Sequence, residues 1–221
     1  MDYPALERAA RREAAADLLR HATSELDRIV SGHRPLRAVR HPLGFVCLPI
    51  LRQGDDGACV HVFGTRTAGE GPDETAAAQV HCHSWDLLST VLYGELGNLR
   101  MDVDDTSGAP THRVFEVFSH PTGLDELRPT QRLVRCRPGA EQTSARGQTY
   151  ALAAGEFHTT VVRDGRPTAT LVLGRSLPGR VDLSLGPLTA PGHRMLRRAC
   201  DATETARIAR AALRRIHEHE P

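Results

Sequence analysis

The apolar positions of this chain change their period twice. From residue 4 to about 31, Leu6, Ala9, Ala10, Leu18, Leu19, Leu26 and Ile29 recur at helical spacing with charged residues between them. The pattern predicts one amphipathic helix that stops at Ser31-Gly32. From Gly44 to Arg175 the pattern becomes short apolar runs divided by turn residues. Gly44–Arg52 and Ala58–Phe63 flank Gly54-Asp55-Asp56-Gly57, a hairpin signature, because Gly and Asp accept the positive φ of a tight turn. The Gly- and Pro-bearing segment Thr65–Thr75 leads into a strand at Gln79–His83, and two strands follow around Gly94, at 88–93 and 95–103. Asp104–Pro110 and Pro121–Pro129 read as loops. His112–Phe118, Arg132–Arg137, Gln148–Ala153, Phe157–Arg163 and Thr168–Arg175 read as strands, the last two joined at Asp164-Gly165. About ten short strands with no helices between them predict an all-β sandwich or barrel. The tail from Pro191 to Pro221 returns to helix, with Asp201 and Thr203 as N-caps and an apolar stripe of Ala206, Ile208, Ala212, Leu213 and Ile216. The expected organisation is an N-terminal helical extension over 1–42, a β-barrel over 43–176 and a C-terminal helical extension over 177–221.

Composition narrows the function. A chain of 221 residues with 40% hydrophobic content can bury one core with terminal extensions. A formal net charge of +1 gives no electrostatic footprint for nucleic acid or an anionic membrane. No apolar run reaches the length of a membrane span, and the amino terminus lacks a basic-then-apolar signal pattern. The expectation is a cytoplasmic protein whose partner is a small molecule. All 28 basic residues are arginine, which excludes Schiff-base chemistry on lysine. Five cysteines (47, 59, 82, 136, 200) without a Cys-x-x-Cys pair suit a reducing compartment better than a disulfide framework or a zinc ribbon.

The candidate chemistry lies in Gln79-Val80-His81-Cys82-His83 and, much further on, in Gly155-Glu156-Phe157-His158. Side chains alternate along a strand, so His81 and His83 share a face and Cys82 points opposite. Two imidazoles grip a metal ion only with a third ligand, and His158 supplies one. The same alternation turns Trp85 and Leu87 inward, then Ser89, Val91 and Tyr93, and places Thr160 and Val162 beside His158. Tyr93, with a polar tip that needs a partner when buried, and His61 are the catalytic candidates. Trp85, Leu87 and Thr160 are expected to line a substrate pocket. Arg52 and Arg66 are expected to clamp a substrate carboxylate by bidentate contact. His217 and His219 repeat the His-x-His spelling on a helix, where i and i+2 do not share a face.

Over about residues 43–175 these motifs resemble the cupin superfamily, the small metal-binding jelly-roll barrels. In the first cupin motif, G-x5-H-x-H-x(3,4)-E-x6-G, the chain matches at His81, His83 and Gly94, with Leu87 at the glutamate position and Thr75 at the leading glycine. In the second, G-x5-P-x-G-x2-H-x3-N, it matches at Gly147, Gly155 and His158, with Ala153 and Val162 at the proline and asparagine positions. The resemblance implies a cupin-type jelly roll holding a divalent metal on three neutral histidines. Asp86 is a further carboxylate candidate if a turn re-aims it. A His-x-His with a non-carboxylate residue in the glutamate slot and a later third histidine is similar to the thiol dioxygenases. Their Ser-x-His-x-Tyr relay has no counterpart in Thr168–Gly174, and the cysteine of their Cys–Tyr crosslink falls on Leu87.

A three-histidine face leaves coordination positions for substrate and dioxygen, and Fe(II) suits it, with Zn, Ni or Mn as alternatives. The function expected is therefore a non-haem iron oxygenase acting on a small polar metabolite. A non-redox metal cupin (lyase, isomerase or hydrolase) and a non-catalytic ligand-binding cupin are the competing readings. A homodimer through the terminal helices is expected by analogy with cupins.

Overall fold

A computed structural model describes residues 2–64, 79–105, 108–162 and 166–218. The N-terminal helix is two helices, α1 (Tyr3–Arg11) and α2 (Ala15–Val30). At about 100° per residue, Leu6, Ala9 and Ala10 would sit on nearly the opposite side of one straight helix from Leu18, Leu26 and Ile29. The chain breaks at Arg12-Glu13-Ala14, where Glu13 takes a φ of 54°, and both apolar sets reach one core. Asp2 caps α1 by accepting the Ala5 amide hydrogen at 3.0 Å.

The described residues form two seven-stranded antiparallel sheets. The first runs β14 (Arg198–Ala199), β1 (Val39–Arg40), β2 (Phe45–Gln53), β3 (Asp56–Phe63), β11 (Thr168–Ser176), β5 (Trp85–Tyr93), β9 (Thr149–Leu152). The second runs β13 (His193–Leu196), β8 (Leu124–Ala145), β6 (Glu95–Asp104), β10 (His158–Val161), β4 (His81–Cys82), β12 (Asp182–Gly186), β7 (His112–Ser119). Because β7 also pairs with β8, six strands of the second sheet close into a ring. The fold is the expected all-β jelly-roll type with flanking helices.

Alternation along the strands sorts three cores. Val46, Leu48 and Ile50 of β2, Ala58, Val60 and Val62 of β3, and Ala169, Leu171 and Leu173 of β11 pack with Leu26 of α2 and with Ile208 and Leu213 of α3 (Ala202–Glu218). The opposite face of that sheet carries Phe63, Leu87, Val91, Tyr150, Leu152 and Val172, which meet Leu96 of the second sheet. This inner cluster marks the barrel interior. Cys82, Val114, Val134, Cys136, Phe157 and Leu185 form a third core among the ring strands. Cys82 thus packs away from its neighbouring histidines, as alternation requires.

Four expectations about elements need correction. The loop at Pro121–Pro129 is mostly strand, since β8 starts at Leu124 and runs to Ala145, exchanging its partner β7 for β6 along the way. Its polar, largely exposed sequence carries no clear alternation. The tail over 177–221 is not all helix: β12, β13 and β14 precede α3, which begins after Asp201 accepts the Glu204 amide hydrogen at 2.7 Å. Strands of both sheets therefore lie at 39–40 and 182–199, beyond the 43–176 boundaries. The histidine strand is only His81–Cys82, after which the chain crosses to the other sheet. Finally, Tyr93 faces the helices. Tyr93 pairs with Ala169 and Val91 with Thr170, so Leu92 is an extra residue that reverses the facing of Tyr93. Its ring is 2% exposed in the helix-side core, and burial pushes its phenol up to about 12.

Gly94 holds the turn between β5 and β6 at a φ of 77°, and a Cβ there would stand 2.7 Å from the Pro167 carbonyl oxygen and 2.6 Å from Thr168 Oγ1. Gly94→Ala is expected to destabilise the protein by about 2–4 kcal/mol, from left-handed backbone strain plus overpacking. A urea midpoint equal to wild type would refute that.

Candidate metal centre

His158 of β10 pairs directly with His81 of β4. Their rings stand 4.4 Å apart between centroids, and His83, just past the end of β4, closes a triangle at 5.0 and 5.2 Å. His83 is held there by the crossing segment itself. Its carbonyl accepts the Gly155 amide hydrogen at 2.8 Å, and the Ser84 amide donates to Asp182 Oδ1 at 2.6 Å. One ligand atom from each of the three imidazoles lies within 4.8 Å of the other two.

Nδ1 of His81 bonds the Gln79 carbonyl at 3.0 Å, and Nδ1 of His158 bonds the Glu156 carbonyl at 3.1 Å. A carbonyl only accepts, so each Nδ1 carries the proton and each Nε2 keeps its lone pair. Burial lowers the pKa of all three histidines, and mutual repulsion adds to it at His83 and His158; His158 falls to about 3. Three uncharged imidazoles with free lone pairs, desolvated and converging, form a donor set that fits a divalent cation.

The walls follow from the strands. Trp85 packs on His83 at 4.3 Å between ring centroids, the rings tilted by 31°, in space that a side chain at Gly174 would fill, since a Cβ there would come within 2.6 Å of the indole. Leu87 lies in the inner cluster, so the glutamate slot is apolar in space as in sequence. Asp86 is exposed and accepts the Ala154 amide hydrogen at 2.9 Å, away from the histidines. Thr160 follows His158 by two residues on β10 and shares its face.

Of the remaining sequence candidates, His61 lies near enough to His83 for its charge to act there. His61 lies on the inner face of β3, with its ring 4.4 Å from Phe45 and its ligand nitrogen near Cys47 and Cys59. Arg52 is exposed at the end of β2, where its charge acts on Cys47 and Cys59. Arg66 lies outside the described residues. Tyr93 is on the wrong side of its sheet.

Three residues at the site escaped the sequence reading. Arg100 of β6 is the direct partner of His158, half exposed, and ion-paired with Glu156. His41 stacks on Phe45 at 4.5 Å, with its pKa lowered to about 3 by burial and by the nearby His61, His81 and Arg197. Tyr150 reaches the interior opposite Ser89, its phenol raised by burial and held beside Ser89 and Asn98. No single-strand signal marks Arg100 or Tyr150, because each is placed by its cross-strand partner.

No family model and no curated protein matches this chain. Among solved structures it is similar to hydroxypropylphosphonic acid epoxidase from S. wedmorenis, with a TM-score of 0.34 and 14% identity over 63% of this chain and 55% of that one. It is also similar to FeII HppE, with a TM-score of 0.32 and 16% identity over 59% of this chain and 49% of that one. The chain thus spans about half the length of these structures.

Proposed function

We propose that this chain is a metal-dependent enzyme, a non-haem iron oxygenase acting on a small polar metabolite that chelates an ion held by His81, His83 and His158. The observation that carries this reading is the converging set of uncharged imidazoles, two of them fixed by carbonyl bonds with Nε2 free. Ferrous iron, when bound there, supplies a Lewis-acidic redox centre with positions open to substrate and dioxygen. The protein's own part is positional. The Nδ1–H bonds of His81 and His158 hold their rings in one tautomer. Trp85 and Leu87 exclude water from one side of the centre, and Thr160 offers a hydroxyl to a polar ligand. Arg100, exposed at the rim, binds an anionic substrate group by exchanging its Glu156 partner for it.

The test is iron content and iron-dependent oxygen uptake of protein purified under nitrogen, screened with thiols and other chelating metabolites. Turnover that persists without oxygen, with zinc, nickel or manganese at the same histidines, would assign non-redox chemistry instead. Once a substrate is found, Arg100→Met is expected to raise KM by about 10–100-fold with metal content unchanged. An unchanged KM would remove Arg100 from substrate binding.

A further inference from the structure

We propose a second metal site, for zinc, formed by Cys47, Cys59 and His61 on the inner face of the first sheet. It goes beyond the three-histidine centre and does not depend on it. The ligand atoms of these three side chains all lie within 4.8 Å of one another. A tetrahedral zinc with bonds of about 2.3 Å to sulfur and 2.0 Å to nitrogen spaces its ligands by about 3.5–3.8 Å. Loading therefore asks each side chain to move by about an ångström or less, within the play of one rotamer.

One hairpin carries the whole site. The β2–β3 turn at Gly54-Asp55 sets Cys47 opposite His61, and Cys59 precedes His61 by two residues on the same face. The intervening Leu48 and Val60 are buried on the helix side, which turns the three donors toward the barrel interior. Phe45 packs on the His61 ring and orients it. All three donors are half-buried, whereas Cys82, Cys136 and Cys200 are buried.

The bland alternative is that the two thiols fill space as small apolar groups. The thiols do more than fill space: Cys59 is hydrogen-bonded to both Cys47 and His61, and Arg52 lies near enough for its charge to favour thiolate. A disulfide fits poorly. Cys47 and Cys59 are diagonal rather than facing, and diagonal residues stand about 7 Å apart, beyond what a single S–S bond spans without backbone movement. A cation held between the two thiolates needs no such backbone movement, because the sulfurs already lie within 4.8 Å of each other. Two thiolates and an imidazole select zinc over the harder ions. Among the described residues the group holds no fourth donor, so the fourth position opens into the barrel for water or a ligand.

Cobalt(II), a coloured stand-in for zinc, tests this on the full chain. The variant His81→Ala/His83→Ala/His158→Ala, stripped with chelator, is expected to bind one equivalent of cobalt with an intense sulfur-to-cobalt charge-transfer band that zinc abolishes. Adding Cys47→Ser/Cys59→Ser should remove the band, and absence of the band before that change overturns the site. A second measurement needs no variant. Zinc should slow alkylation of Cys47 and Cys59 in the wild-type protein by about tenfold or more, read by peptide mass spectrometry. Equal alkylation with and without zinc, or a Cys47–Cys59 disulfide in protein kept under reductant, would also overturn it.

Discussion

His158→Ala protein purified under nitrogen is expected to hold less than about a tenth of the wild-type iron, with oxygen uptake falling in proportion. Loss of a hydrogen-bond partner behind a ligating imidazole weakens metal affinity by about 10–100-fold, and loss of a ligand itself must cost more. His158 stands directly across from His81, so its removal leaves two imidazoles of which only His81 lies within a strand. His158→Gln separates ligand loss from a folding defect, because it keeps side-chain volume and a donor for the Glu156 carbonyl. Both variants should melt as cooperatively as wild type. Wild-type iron content in folded His158→Gln would end the case for the three-histidine centre.

The second large effect is acid lability of the metal-free protein. His158 and His41 both have folded pKa values near 3, against an ordinary value of 6.5. Above pH 6.5 both states are neutral at these residues, and they contribute nothing to the pH dependence. Between pH 6.5 and about 3 the unfolded chain takes up protons that the folded chain refuses, so stability falls as the pH falls. Each histidine costs about 1.4 kcal/mol per pH unit across that window, or about 5 kcal/mol in all. Two of them together remove about 10 kcal/mol by pH 3, comparable with the whole stability of an ordinary domain, about 5–15 kcal/mol. Thermal melts of chelator-treated protein from pH 7.5 to 4.5 should show the decline, and His158→Gln should make it shallower, with His41, His81 and His83 still contributing. A melting temperature constant over that range would mean that these histidines are not buried uncharged.

Much of this architecture was legible because strand periodicity is local. The Gly54-Asp55 hairpin, the His-x-His spelling and the third histidine beside Gly155 need only alternation and turn chemistry. What escaped depends on partners distant in sequence. Tyr93 changed sides through one extra residue, Leu92, visible only in the register with β11. Arg100 became a site residue through pairing with His158. The break at Glu13 was legible in principle, since the two apolar sets of the first thirty residues are out of helical phase, but reading them as one stripe hid it. Cys59-x-His61 has the same spelling as His81-x-His83, and it takes the β2–β3 register to add Cys47.

Trp85 is the chain's one tryptophan, and its indole lies 4.3 Å from the His83 ring. The protein therefore carries an optical reporter in van der Waals reach of one of the three imidazoles proposed to hold the metal. Its fluorescence should be quenched when a paramagnetic ion such as ferrous iron or cobalt reaches the three histidines, and spared by diamagnetic zinc. Occupancy can thus be followed in solution without a label, against a background free of any other indole.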